Sequence, residues 1–88
     1  MIPLPLTGNN MIVRVVSVNG GRGAQRKLYE LGIYPGATLR VIKSWGPGPV
    51  IVELTNMNPN YRSSRVVIGY GLAMKILVEI MKGGMYNV

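Results

Sequence analysis

Apolar residues recur at every second position over several stretches of this chain and at helical spacing over one. "MIVRVVSV" (Met11 to Val18) is dense in β-branched residues and ends at "NGGRG", where the glycines let the backbone turn freely. It predicts a strand followed by a turn. From Ala24 the apolar positions change period: Ala24, Leu28 and Leu31 fall at i, i+4 and i+7, while Gln25, Arg26 and Lys27 point elsewhere. That spacing predicts a one-sided helix of about two turns. The period then returns to two. Leu39 and Val41 alternate with Arg40; Val50, Val52 and Leu54 with Ile51 and Glu53; Ile76, Val78 and Ile80 with Leu77 and Glu79. Each reads as a half-buried strand, and "RVVI" (Arg65 to Ile68) as a further short one.

The punctuation between these runs is equally specific. Gly32 follows the last periodic leucine, where a left-handed residue ties off the helix carbonyls without a Cβ clash. Pro35 and Gly36 occupy the middle of Tyr34-Pro35-Gly36-Ala37, the pattern of a type II turn. "GPGP" (Gly46 to Pro49) reads as a stiff loop and "TNMNPNYRSS" (Thr55 to Ser64) as a polar one. "GYGLAMK" is too short for a free helix and predicts a single turn before the last strand. Short strands, one small helix and no crossover long enough for a parallel unit predict a mainly β protein, a small antiparallel barrel. Closure would hide the edges of such a sheet.

The chain has 88 residues, which fits one domain over residues 1–82 with a frayed tail at 83–88. A chain of this size buries only about 60% of its unfolded surface, so a barrel suits its thin core. The start "MIPLPL" lacks the basic residues and unbroken apolar centre of an export signal. The most apolar stretch, Gly71 to Met81, is cut by Lys75 and Glu79 and is too short to span a membrane. The expectation is a soluble, cytoplasmic protein that does not insert into the bilayer.

Composition then narrows the chemistry. There is no histidine and no cysteine, and Glu30, Glu53 and Glu79 are the three carboxylate side chains. Histidine- or thiolate-based triads, disulfides, and zinc or ferrous sites that need imidazole or thiolate are therefore excluded. No catalytic residue, cofactor or metal ligand is assigned. Glu53 and Glu79 could hold a hard cation only if their strands were neighbours. The formal charge is +7, which favours an anionic partner, but the cations are scattered and form no basic tail. "GGRGAQRK" places glycines and Arg22 at a helix start, yet it lacks the lysine and hydroxyl that end a Walker loop and reads as a plain turn.

For contacts with a partner the candidates are Trp45, Tyr61, Arg62 and Arg65 around the loops, with Arg22 and Arg26 on the helix. These are residue types that dominate interface energetics. Trp45 serves equally well as a lid on the core. Tyr34 and Tyr70 belong to glycine turns and read as structural.

"GGRGAQRKLYELGIYPGATLRVI" and "VVIGYGLAMKILVE" together resemble the FeoA family, small accessory proteins of bacterial and archaeal ferrous-iron uptake. The resemblance rests on Gly20 and Gly21 before the helix, the leucines of "RKLYELGI", the turn at Pro35 and Gly36, and the closing "GLAMKILV". It implies an SH3-like barrel without enzymatic activity that associates with the membrane ferrous-iron permease, which carries a cytoplasmic G-protein domain. The loop from Thr55 to Ser64 is longer than the usual connection of that family. Two other readings remain: a nucleic-acid-binding small barrel, against which the strands lack interleaved aromatics, and a metal-sensing module like the C-terminal domain of metal-dependent repressors. A thin barrel with a free edge is also open to homodimer formation.

Overall fold

The computed structural model describes residues 1–44, 46–54 and 64–82. Six strands form one antiparallel sheet in the order β1-β6-β2-β3-β4-β5. They are β1 (Ile2–Pro3), β2 (Ile12–Val18), β3 (Thr38–Ser44), β4 (Val50–Leu54), β5 (Ser64–Ile68) and β6 (Ile76–Lys82). Helix α1 (Arg22–Glu30) joins β2 to β3, and the single turn α2 (Tyr70–Ala73) joins β5 to β6. The last strand thus lies between the first two.

Period-two patterning buries one face of this sheet. Val13 and Val15 of β2, Leu39 and Val41 of β3, Val50 and Val52 of β4, Ile68 of β5, and Ile76 and Val78 of β6 are all essentially inaccessible. Leu28 from α1, Ile33 from the following turn and Ala73 from α2 pack in the same cluster. Extra residues interrupt the ladders. Val15 and Ser17 stand opposite the adjacent pair Val78 and Leu77, leaving Val16 as the added residue, and Ile42 is added in the same way between Val41 and Lys43. Such bulges bend a strand and increase its twist, and they account for the curl of so short a sheet. A third break, at Met81, adjoins Ile80. Ile80 is 48% exposed rather than buried as its period predicts, although Val13 opposite it is fully buried.

The sheet is barrel-like but not closed. Among the described residues, β1 and β5 stand at opposite ends of the strand order and are not hydrogen-bonded to each other. The expected closure of the edges is thereby corrected. β1 has only Ile2 and Pro3 to offer, and proline supplies no backbone N–H to a ladder.

Sequence patterning missed the use made of the first residues. Leu4–Leu6 form a 3-10 turn, with Leu4 fully buried in the core cluster. The Thr7 hydroxyl donates to the Leu4 carbonyl at 2.8 Å, and the Ser44 hydroxyl donates to the Pro5 carbonyl at 2.8 Å. The N-terminal segment is thereby strapped across the end of β3.

The corner after α1 carries most of the turn chemistry. Leu31 is the C-cap and Gly32 adopts φ +91°. The Ile33 N–H donates to the Leu28 carbonyl at 2.8 Å and the Gly32 N–H to that of Tyr29 at 2.9 Å. This is the paired pattern of a Schellman motif, with Ile33 packing in the same cluster as Leu28. Gly36 then takes φ +96°, and the Ala37 N–H donates to the Tyr34 carbonyl at 2.9 Å, closing a type II turn. The turn is docked, because the Gly36 N–H donates to the Val15 carbonyl and the Val15 N–H to the Ala37 carbonyl, both at 2.8 Å.

Two glycines should respond oppositely to the same change. A Cβ on Gly32 would lie 3.0 Å from Leu54 Cδ1 in a left-handed conformation, so Gly32→Ala should destabilise by about 1–3 kcal/mol. A Cβ on Gly23, inside α1, meets nothing within 4 Å, and Gly23→Ala should stabilise by about 0.4–1 kcal/mol. Urea denaturation of the two variants checks both signs.

Candidate partner-binding site

On the strands, two glutamates pair with three arginines. Glu79 on β6 stands opposite Arg14 on β2, and the two form an ion pair. Glu53 on β4 is flanked by Arg40 on β3 and Arg65 on β5, with Oε1 3.8 Å from Arg40 Nη1 and Oε2 4.0 Å from Arg65 Nε. Strands β3 and β2 separate β4 from β6, so Glu53 and Glu79 are not cross-strand neighbours. This overturns the reading of those two residues as one hard-cation site. Among the described residues no group of three metal-ligating side chains comes together.

The candidate contact residues divide by location. Arg65 belongs to the charge row on β5, whereas Arg22 and Arg26 lie exposed on α1. Trp45, Tyr61 and Arg62 lie outside the described residues, as do 55–63 of the polar loop and the tail 83–88. Among the turn glycines, Gly20 has φ +107° and its missing Cβ leaves room for Lys75 Cδ at 3.0 Å. Gly21 caps α1 in extended conformation. The Gln25 amide reaches back from the helix to the Val18 and Gly20 carbonyls, at 3.3 and 3.2 Å, and fixes how α1 leaves β2.

A surface feature that the linear pattern hides lies where α1 meets the Pro35–Gly36 turn. Tyr29 and Tyr34 are 67% and 43% exposed, yet their rings approach to 5.4 Å between centroids at an interplanar angle of 43°. That separation is in the range of favourable aromatic pairs. Beside them opens a cleft of about 130 Å³ lined by Val18, Gln25, Tyr29, Ile33, Tyr34 and Pro35. Tyr34 was expected to be a turn residue and no more. Its meeting with Tyr29 depends on the chain folding back at Gly32, which spacing along α1 does not reveal.

No helix among the described residues is long and apolar enough to cross a membrane. Bulged antiparallel strands around one capped helix, with a paired polar face, define a small SH3-like domain whose sheet stays open. The FeoA domain model matches residues 2–80, and the chain belongs to that family. It is 37% identical over 87 residues to the "Putative Fe(2+) transport protein A" of Methanocaldococcus jannaschii, covering 99% of this chain and 96% of that one. A crystal structure of an iron uptake regulatory protein (FeoA) superposes with a TM-score of 0.78 at 34% identity, covering 91% of this chain and 97% of that chain. The FeoA protein of Chlorobium tepidum gives a TM-score of 0.69 at 25% identity, over 93% and 72% of the two chains. The FeoA-like protein of Clostridium acetobutylicum, at 20% identity and a TM-score of 0.70, covers 98% and 93% and shares the fold.

The charge row makes a simple prediction. Glu53→Gln leaves Arg40 and Arg65 facing each other across β4 without their shared counter-ion, and should cost about 0.5–1 kcal/mol at low ionic strength. Denaturation midpoints measured with increasing salt should show the loss shrinking as the charges are screened.

Proposed function

We propose that this protein is a non-enzymatic accessory factor of ferrous-iron uptake that acts by docking onto the cytoplasmic G-protein domain of the membrane iron permease. The observation that carries this reading is the family match over residues 2–80, joined by the likeness to an Fe(2+) transport protein along almost the whole chain. The residue chemistry supports it. A chain without histidine or cysteine has no imidazole or thiolate with which to hold iron tightly, and two of its three glutamates are engaged with arginines. Contact with a macromolecule is the activity left to such a surface, and its charge of +7 favours an acidic one.

Isothermal titration of the full chain with the purified cytoplasmic domain of a ferrous-iron permease tests the proposal. Association in the micromolar range is expected, in keeping with a small regulatory interface. Heat below detection at millimolar concentrations would refute it. The same net charge also suits nucleic acid, and that second reading requires affinity for mixed RNA or DNA that falls steeply with salt.

A further inference from the structure

We infer that the cleft between α1 and the Pro35–Gly36 turn is the docking site, and that its occupant is an acidic peptide segment that inserts one apolar side chain beside Tyr29 and Tyr34. The inference rests on the adaptor reading and assigns that reading a surface.

Three observations on the molecule converge here. The first is the shape and lining of the cleft. Val18, Ile33 and Pro35 supply an aliphatic interior and the two tyrosines its walls, and about 130 Å³ is close to the ~150 Å³ of an apolar cavity that accepts benzene. One leucine- or phenylalanine-sized side chain fills such a space. The second is the helix stripe that carries two of the lining residues, Gln25 and Tyr29. Arg22, Gln25, Arg26 and Tyr29 stand at i, i+3, i+4 and i+7 of α1, which places them on one stripe, and all four are exposed. The first turn of the helix holds no acidic residue. Unlike Arg14, Arg40 and Arg65 on the sheet, which have glutamate partners, Arg22 and Arg26 have no salt bridge among the described residues. The third is the state of the aromatics. Tyrosine loses little conformational freedom on binding, and these two are already held against each other. The result is an apolar socket whose helix-side lining residues share a stripe with two cations. A segment carrying carboxylates on either side of an apolar anchor satisfies both parts at once. A nucleobase fits less well, because the rings meet at 43° and form no parallel slot.

The test uses the full chain with nitrogen-15 labelling and two probes: a short acidic peptide with a single central leucine, and the cytoplasmic domain of a ferrous-iron permease. The peptide should shift the amide signals of Val18, Gln25, Tyr29 and Ile33, and should bind at least about tenfold more weakly when its leucine is replaced by serine. Tyr29→Ser, at a position 67% exposed and therefore compatible with folding, should weaken both probes at least about tenfold. The double change Arg22→Glu, Arg26→Glu should weaken both probes and flatten their salt dependence. Circular dichroism of each variant verifies that it is folded.

If the permease domain binds the wild type and all folded variants equally, the docking site is wrong while the adaptor reading stands. Peptide binding in the cleft without any binding of the permease domain would keep the site and remove the adaptor reading. Failure of the wild type to bind either probe overturns both. Displacement of the peptide by a uridine oligonucleotide that binds the cleft more tightly would overturn the peptide assignment.

Discussion

The backbone of Val15 accepts from Gly36 and donates to Ala37, and this two-bond clasp determines where the corner after α1 can go. Val15 also faces Val78 across the β2–β6 ladder and buries its own side chain in the core. One residue of a central strand therefore ties together the sheet, the turn and, through the turn, the end of the helix. The clasp requires the chain to reverse twice within six residues, at Gly32 and at Gly36, both with positive φ. Residues with a Cβ reach that conformation only with strain. The Schellman pair between Leu28 and Ile33 completes the arrangement by satisfying the helix carbonyls and by placing two apolar side chains in one cluster.

The surface follows from the same constraint. Because the corner is pinned to β2, Tyr34 is held against Tyr29, and Val18 at the end of β2 becomes part of the same cleft. Gln25 secures the opposite end of the helix by its two bonds to Val18 and Gly20. The bending strands contribute as well. Bulges at Val16 and Ile42 curl a sheet too small to bury a helix by width alone. It is this fixed surface that the proposed docking role would use.

The electrostatics separate into two populations. On the sheet, glutamates stand opposite arginines in register, so the row Arg40–Glu53–Arg65 and the pair Arg14–Glu79 largely neutralise one another locally. Exposed pairs of this kind add little to stability. On α1, Arg22 and Arg26 make no such pair among the described residues.

Much of the fold was legible from residue order alone. Period-two runs located β3, β4 and most of β6, β-branched runs located β2 and β5, the spacing of Ala24, Leu28 and Leu31 located α1, and glycine and proline marked both halves of the corner, because each of these signals depends only on near neighbours in the chain. Recognition of the family in the order of those same pieces agrees with the match over residues 2–80. Other features depended on residues far apart. Leu4 entered the core and Ile80 left it, Glu53 and Glu79 ended with two strands between them, and the sheet stayed open. The cleft beside Tyr29 and Tyr34 belongs to the same group. Strand order, bulge position and the angle of the corner arise from contacts closed across the whole chain, and a local pattern carries no information about which distant edge it will meet.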